Sequence, residues 1–264
     1  MDIIRHFYGL NGGLERRLDS RVMRLKRNLL RSLGMTIAFL CGLFLTGQLA
    51  IATNLPAAKL QSIPIQLINA IAQLTPTTGS SESLTYFDQI QPVNVEYLLW
   101  TEFPVRVAID PTGNSRWQTA VRQGVEAWQP YFPIEIMDPI DRRSAHIHIQ
   151  ATRFKLVRPS GSTEIPRFRA AETRYKIFSA VPDSPTQMLR HEMTIALPPG
   201  QADGVMQSAA RHEMGHALGI WGHSLDSNDV MYFSQVKEPP PISARDLRTL
   251  KRIYEQPTRL GIKK

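Results

Sequence analysis

Few short stretches restrict a fold as tightly as residues 212–224, which open His212-Glu213-Met214-Gly215-His216 and continue Ala217-Leu218-Gly219-Ile220-Trp221-Gly222-His223-Ser224. Two histidines four residues apart project from one helix face, one turn apart. Their imidazoles then close on a single zinc ion at about 2.0–2.1 Å. Glu213 sits beside the ion without having to ligate it, where a general base takes a proton from zinc-bound water. Gly219 can take a positive φ and end the helix sharply. The chain turns back there, which brings His223 within reach as a third imidazole. Three neutral nitrogens leave one zinc position open, the catalytic rather than the structural arrangement.

The stretch resembles the metzincin signature H-E-x-x-H-x-x-G-x-x-H with its downstream Met-turn. Within that clan it is most similar to the matrixins, catalytic domains of the matrix-metalloproteinase type. The supporting residues are 215–219, the pair His223-Ser224, and Asp229-Val230-Met231-Tyr232. One register departs from the family. The family has two residues between the glycine and the third histidine; here Ile220, Trp221 and Gly222 intervene. The strict third position is therefore Gly222, which has no ligand atom. A one-residue bulge at a glycine is inexpensive, so His223 is the expected third ligand, with Asp226 as the alternative. The resemblance implies that Met231 is an apolar floor beneath the metal and that Tyr232 walls the substrate pocket. It also implies a zinc metalloendopeptidase, in which Glu213 passes a proton from the attacking water to the leaving amine. The substrate would be an extended peptide bound along the edge strand, with the loop 224–241 lining the pocket past the scissile bond. The alternative is a zinc-stabilised binding module without turnover, against which Glu213 argues, since a purely structural site has no use for a base.

The formal net charge is +8, but residues 1–52 hold eight Arg/Lys against three Asp/Glu, which leaves only +3 for the remainder. The basic character is local, so no nucleic-acid-binding surface is expected. The basic segment, residues 1–34, precedes an apolar run at 35–52 near the lower length limit of a membrane-spanning helix. Basic residues before the run place the N-terminus in the cytoplasm and the following domain outside. Residues 35–52 read as an uncleaved transmembrane signal-anchor or as a signal peptide cut after Ala52. Cys41, the only cysteine, lies in this run, so no intramolecular disulfide forms and no cysteine elsewhere can hold a zinc site latent.

Residues 53–96, rich in Pro, Ser, Thr and Gln, read as a linker, with a short apolar helix possible at 63–74. The peptidase-like domain is expected at 97–258. Alternation predicts strands at 104–110, 131–138, 145–152, 170–180 and 188–197. Helical spacing predicts helices at 114–129 and 202–218, and a capping box at Ser243 and Asp246 opens a last helix to 254. The order of elements is similar to that of the metzincin catalytic domain, and the resemblance implies an α+β class: a twisted, mixed, five-stranded sheet with three helices, whose fourth strand, here from about residue 174 to 180, would be an antiparallel edge. His146, His148 and His191 lack the family's His-x-Asp pairing and read as polar positions on strands, not as a second zinc site. Asp138, Asp141, Asp226 and Asp229 are too sparse for calcium.

Overall fold

The computed structural model describes residues 57–74, 84–154, 171–180, 188–234, 236 and 238–261. All of these fall within one compact unit of the chain. The expected basic and membrane segments, residues 1–34 and 35–52, lie outside the described residues. Among the described residues no helix is long and apolar enough to cross a membrane.

The elements run α1 (Ile65–Ala72), β1 (Val105–Ile109), α2 (Ser115–Glu126), β2 (Ile134–Ile136), β3 (Ile147–Gln150), β4 (Glu172–Ser179), β5 (Leu189–Ala196), α3 (Asp203–Leu218) and α4 (Ala244–Tyr254). The five strands form one sheet in the order β2-β1-β3-β5-β4. All neighbours are parallel except β4, which pairs antiparallel with β5 at the edge. The fold is thus α+β with a mixed five-stranded sheet, as expected, and with the antiparallel strand in the expected place.

Register explains the core. Val107, Ile147 and Met193 stand in one row across β1, β3 and β5, and Ile109, Ile149 and Ile195 in the next. All six are buried, because side chains alternate between sheet faces and these positions share the face that meets the helices. The rows continue into β4 through Tyr175 opposite Met193 and Thr173 opposite Ile195. Helix α2 buries Trp117, Ala120, Val121, Gly124 and Val125 at spacings of three and four. The Asn114 side chain caps it by accepting from the Trp117 N–H at 2.9 Å. Helix α4 opens on the expected capping box, Ser243 with Asp246.

Among the described residues there are four helices: the three expected in the domain and α1, which falls where a short apolar helix was expected at 63–74. Parts of the expected linker are buried against the domain. Leu67 of α1, Tyr86, Ile90 and Val95 all belong to the hydrophobic core. Lys59 exchanges backbone hydrogen bonds with Thr258 at 2.8 and 2.9 Å, and Arg259 N–H donates to Val95 O at 3.0 Å. A polar, proline-rich composition suggests solvation, but here apolar residues spaced along the segment find a groove against α4 and the C-terminal tail.

Leu67→Ala measures this burial. Leu67 is fully buried, so the truncation should cost about 2–5 kcal/mol in a urea titration. A loss within about 0.5 kcal/mol, the usual range for surface positions, would return the segment to linker.

Candidate metal centre

Helix α3 carries the histidine motif, and its end must satisfy four carbonyls that lack intrahelical partners. Every one has a donor. Ile220 N–H donates to Gly215 O at 3.0 Å and Gly219 N–H to His216 O at 3.0 Å. This is the hydrogen-bond pair of a helix stop with a left-handed residue, and Gly219 supplies it with φ of 128°. The Trp100 indole donates to Ala217 O at 2.8 Å, and the Tyr254 hydroxyl donates to Leu218 O at 3.0 Å. The helix can therefore end inside the core without an orphaned group, and the chain turns back toward its own histidines.

His212, His216 and His223 converge, with one ring nitrogen from each within 4.8 Å of the others. The second-nearest groups fix the tautomers. His212 Nδ1 lies 2.7 Å from Val230 O, and His216 Nδ1 lies 2.6 Å from Ile220 O. A carbonyl only accepts, so each Nδ1 carries the proton. Both Nε2 atoms then present lone pairs, and they face each other at 3.2 Å. Burial, followed by the charge of His223, pushes His212 down to about 3, and burial pushes His223 down to about 4. Three ring nitrogens that converge in this way could hold a metal ion. Two nitrogens on a tetrahedral zinc at about 2.0–2.1 Å lie about 3.3 Å apart, which matches the observed spacing. Asp226, the alternative third ligand, is turned elsewhere: it accepts from Asn228 and pairs with Arg245 at 3.0 Å.

Glu213 is fully buried. Its Oε2 accepts from the Thr173 hydroxyl at 2.5 Å, a contact set by the β4 register that turns Thr173 toward the helices. Its Oε1 is buried with no hydrogen-bond partner. Burial pushes the carboxyl up to about 8, against the pull of the Thr173 hydrogen bond and with the help of the nearby Glu172 charge. A buried carboxylate oxygen without a donor fits a site that receives a polar group from outside.

Met231 is fully buried, and it explains Gly215. A Cβ on Gly215 would lie 2.2 Å from the Met231 sulfur, so the thioether rests directly on the helix between the two histidines. The turn that holds Met231 is fixed by buried carboxylates. Asp246 accepts from Val230 N–H at 2.9 Å, Ser243 N–H at 2.7 Å and the Tyr86 hydroxyl at 2.7 Å. Burial pushes Asp246 up while these bonds oppose it. Asp229 accepts from Ser224 at 2.5 Å and Ser243 at 2.6 Å and pairs with Arg245 at 3.1 Å. In the sequence Asp246 reads only as a helix cap; its second duty toward Val230 is a tertiary contact with no local signal, as is that of Thr173.

A cavity of about 250 Å³ opens beside His212 between Val205, Ala209, Val230, Tyr232 and Pro240. Tyr232, Pro239 and Pro240, all from the loop 224–241, line this cavity. Phe233 stands 44% exposed and is not one of the walls. Among the described residues His146, His148 and His191 form no three-residue cluster able to hold a metal ion, although His146 and His191 both stack on Trp100. The His146 ring is held by Arg106, whose guanidinium lies 2.6 Å from Nε2, and His191 stacks on Trp100 at 3.9 Å. No protein-family model matches the chain, and no curated protein matches it either.

His191 gives a pH prediction. Burial, and then the charge of His146, lowers it from 6.5 to about 3. Below pH 6.5 the unfolded chain takes up a proton that the fold refuses. The stability contribution is therefore full above pH 6.5 and is lost as pH falls toward 3. His146, His212 and His223 shift the same way. The urea midpoint of metal-free protein should fall between pH 7 and pH 5, and His191→Phe should flatten that slope by about one proton. An unchanged slope would contradict a buried neutral His191.

Proposed function

We propose that this chain is a zinc-dependent metalloendopeptidase of the metzincin type, matrixin-like, which hydrolyses peptide bonds of proteins outside the cytoplasm. It works from a membrane anchor at residues 35–52, or as a secreted protein after cleavage at Ala52. The observation that carries this reading is the convergence of His212, His216 and His223, one ring nitrogen from each within 4.8 Å of the others, with Glu213 next to His212 in the helix. A zinc ion on three imidazoles supplies a water acidified toward neutrality and polarises a carbonyl.

The chain's own residues divide the remaining work. Val230 O and Ile220 O hold the His212 and His216 rings in one tautomer, which keeps both Nε2 atoms available. Thr173 pins Glu213 Oε2, so Oε1 is the oxygen that takes the proton of the attacking water and gives it to the leaving amine. The water oxygen bonds to the carbonyl carbon, the C–N bond breaks, and both protons end on the products. A nearby dication counters the burial that raises Glu213, because an opposite charge favours the carboxylate. No described strand covers the outer side of β4, so an extended peptide can add there through main-chain hydrogen bonds. The apolar cavity beside His212 then receives one substrate side chain.

The test combines metal analysis with peptide cleavage by the full chain, with and without a chelator. About one zinc per chain and chelator-sensitive cleavage are expected. Glu213→Gln should retain the zinc and lose about 10²–10⁴-fold in turnover. Loss of the metal with this substitution would make Glu213 a ligand and refute the assigned role. One tightly held zinc with no cleavage across an extended-peptide library would favour the binding module.

A further inference from the structure

His212 and His216 are aimed by helix α3, but His223 stands on a turn and needs other support. Two separate parts of the chain supply it. On one side, Ser224 N–H donates to Met231 O at 2.8 Å. On the other, the support comes from residues 86–91, well before the first strand. Gln91 N–H donates to Trp221 O at 2.9 Å. Gly222 lies flat on the backbone of Gln89: a Cβ there would stand 2.2 Å from Gln89 O and 2.9 Å from its carbonyl carbon. The short 3-10 turn Phe87–Gln89 is itself anchored. Tyr86 N–H donates to the Thr249 hydroxyl at 3.0 Å, the Tyr86 hydroxyl donates to Asp246 at 2.7 Å, and Ile90 is buried in the core.

We propose that residues 86–91 are a positioning element of the metal site, which seats the extra residue Gly222 and thereby aims His223 at the ion. The glycine is required by close approach to Gln89, and not by a bulge conformation. The extra residue and the upstream segment are therefore a matched pair, and the segment acts on metal affinity through His223. This rests on the zinc reading above.

Zinc affinity of the full chain, read by competition with a chromogenic chelator well below the unfolding midpoint, tests it. Gly222→Ala should push Gln89 away and weaken zinc binding by about 10–100-fold, the range for groups that orient a ligand. Gln91→Pro, which removes the N–H donated to Trp221 O, should act in the same direction. The cobalt(II) visible spectrum of Gly222→Ala should move toward that of His223→Ala. A double-mutant cycle separates positioning from general loosening. Adding Gly222→Ala to His223→Ala should cost no further affinity, because the ligand it aims is gone. Should Gly222→Ala not fold, Gln91→Pro and Tyr86→Phe carry the same cycle. Wild-type affinity in these variants, or losses that add fully to that of His223→Ala, would overturn the proposal while leaving the zinc reading intact. Absence of zinc from the wild-type chain, or no loss on His212→Ala, would instead remove the zinc reading itself.

Discussion

A neutral imidazole has one proton to give, and at this site two of them have given it to the backbone. With Val230 O and Ile220 O accepting hydrogen bonds from Nδ1 of His212 and His216, both Nε2 atoms present acceptor lone pairs. They nevertheless face each other within the core. Burial makes protonation costly there, and together with His223 the pair could hold a metal ion. Much of the surrounding structure can be understood as what keeps these two carbonyls in place. Ile220 O comes from the turn made possible by Gly219, and Val230 O comes from the turn hung on Asp246.

Asp246 shows how closely folding and site geometry are joined. One buried carboxylate closes the cap of α4, takes the Tyr86 hydroxyl and holds the Val230 backbone. A buried carboxylate is tolerated only when its oxygens are filled, so the cap, the upstream segment and the Met231 turn depend on one another. The same economy appears at Glu213, where one oxygen is pinned by Thr173 and the other is left without a donor. The two buried acids thus differ in how far their oxygens are engaged.

Much of this was legible in the residues. The strand and helix segments follow from alternation and from spacings of three and four, and the five strands and helices α2, α3 and α4 fall within the expected segments. The histidine spacing and Gly219 pointed to the converging triad, and Ser243 with Asp246 pointed to the cap. The short helix at 63–74 was legible from its apolar residues, but the burial of Leu67, Tyr86, Ile90 and Val95 was not, because their apolar neighbours are separated by Pro, Thr and Gln and they are covered only by distant segments. In the sequence Gly222 presents itself as an inexpensive bulge, whereas its lack of a side chain answers to the carbonyl of Gln89, more than 130 positions away in the chain.

By itself the sequence determined what short-range geometry can encode: a helix that lines up two imidazoles, a glycine that ends it, and strands whose alternating faces define a core. Those features depend on dihedral preference and on periods of 3.6 and 2, which are local properties. Only the tertiary structure decided which oxygen of Glu213 is free, which carbonyls fix the histidine tautomers, and what holds His223. These depend on contacts between segments far apart in the chain, where a shift of one residue in strand register turns Thr173 away from the helix and leaves Glu213 without its anchor.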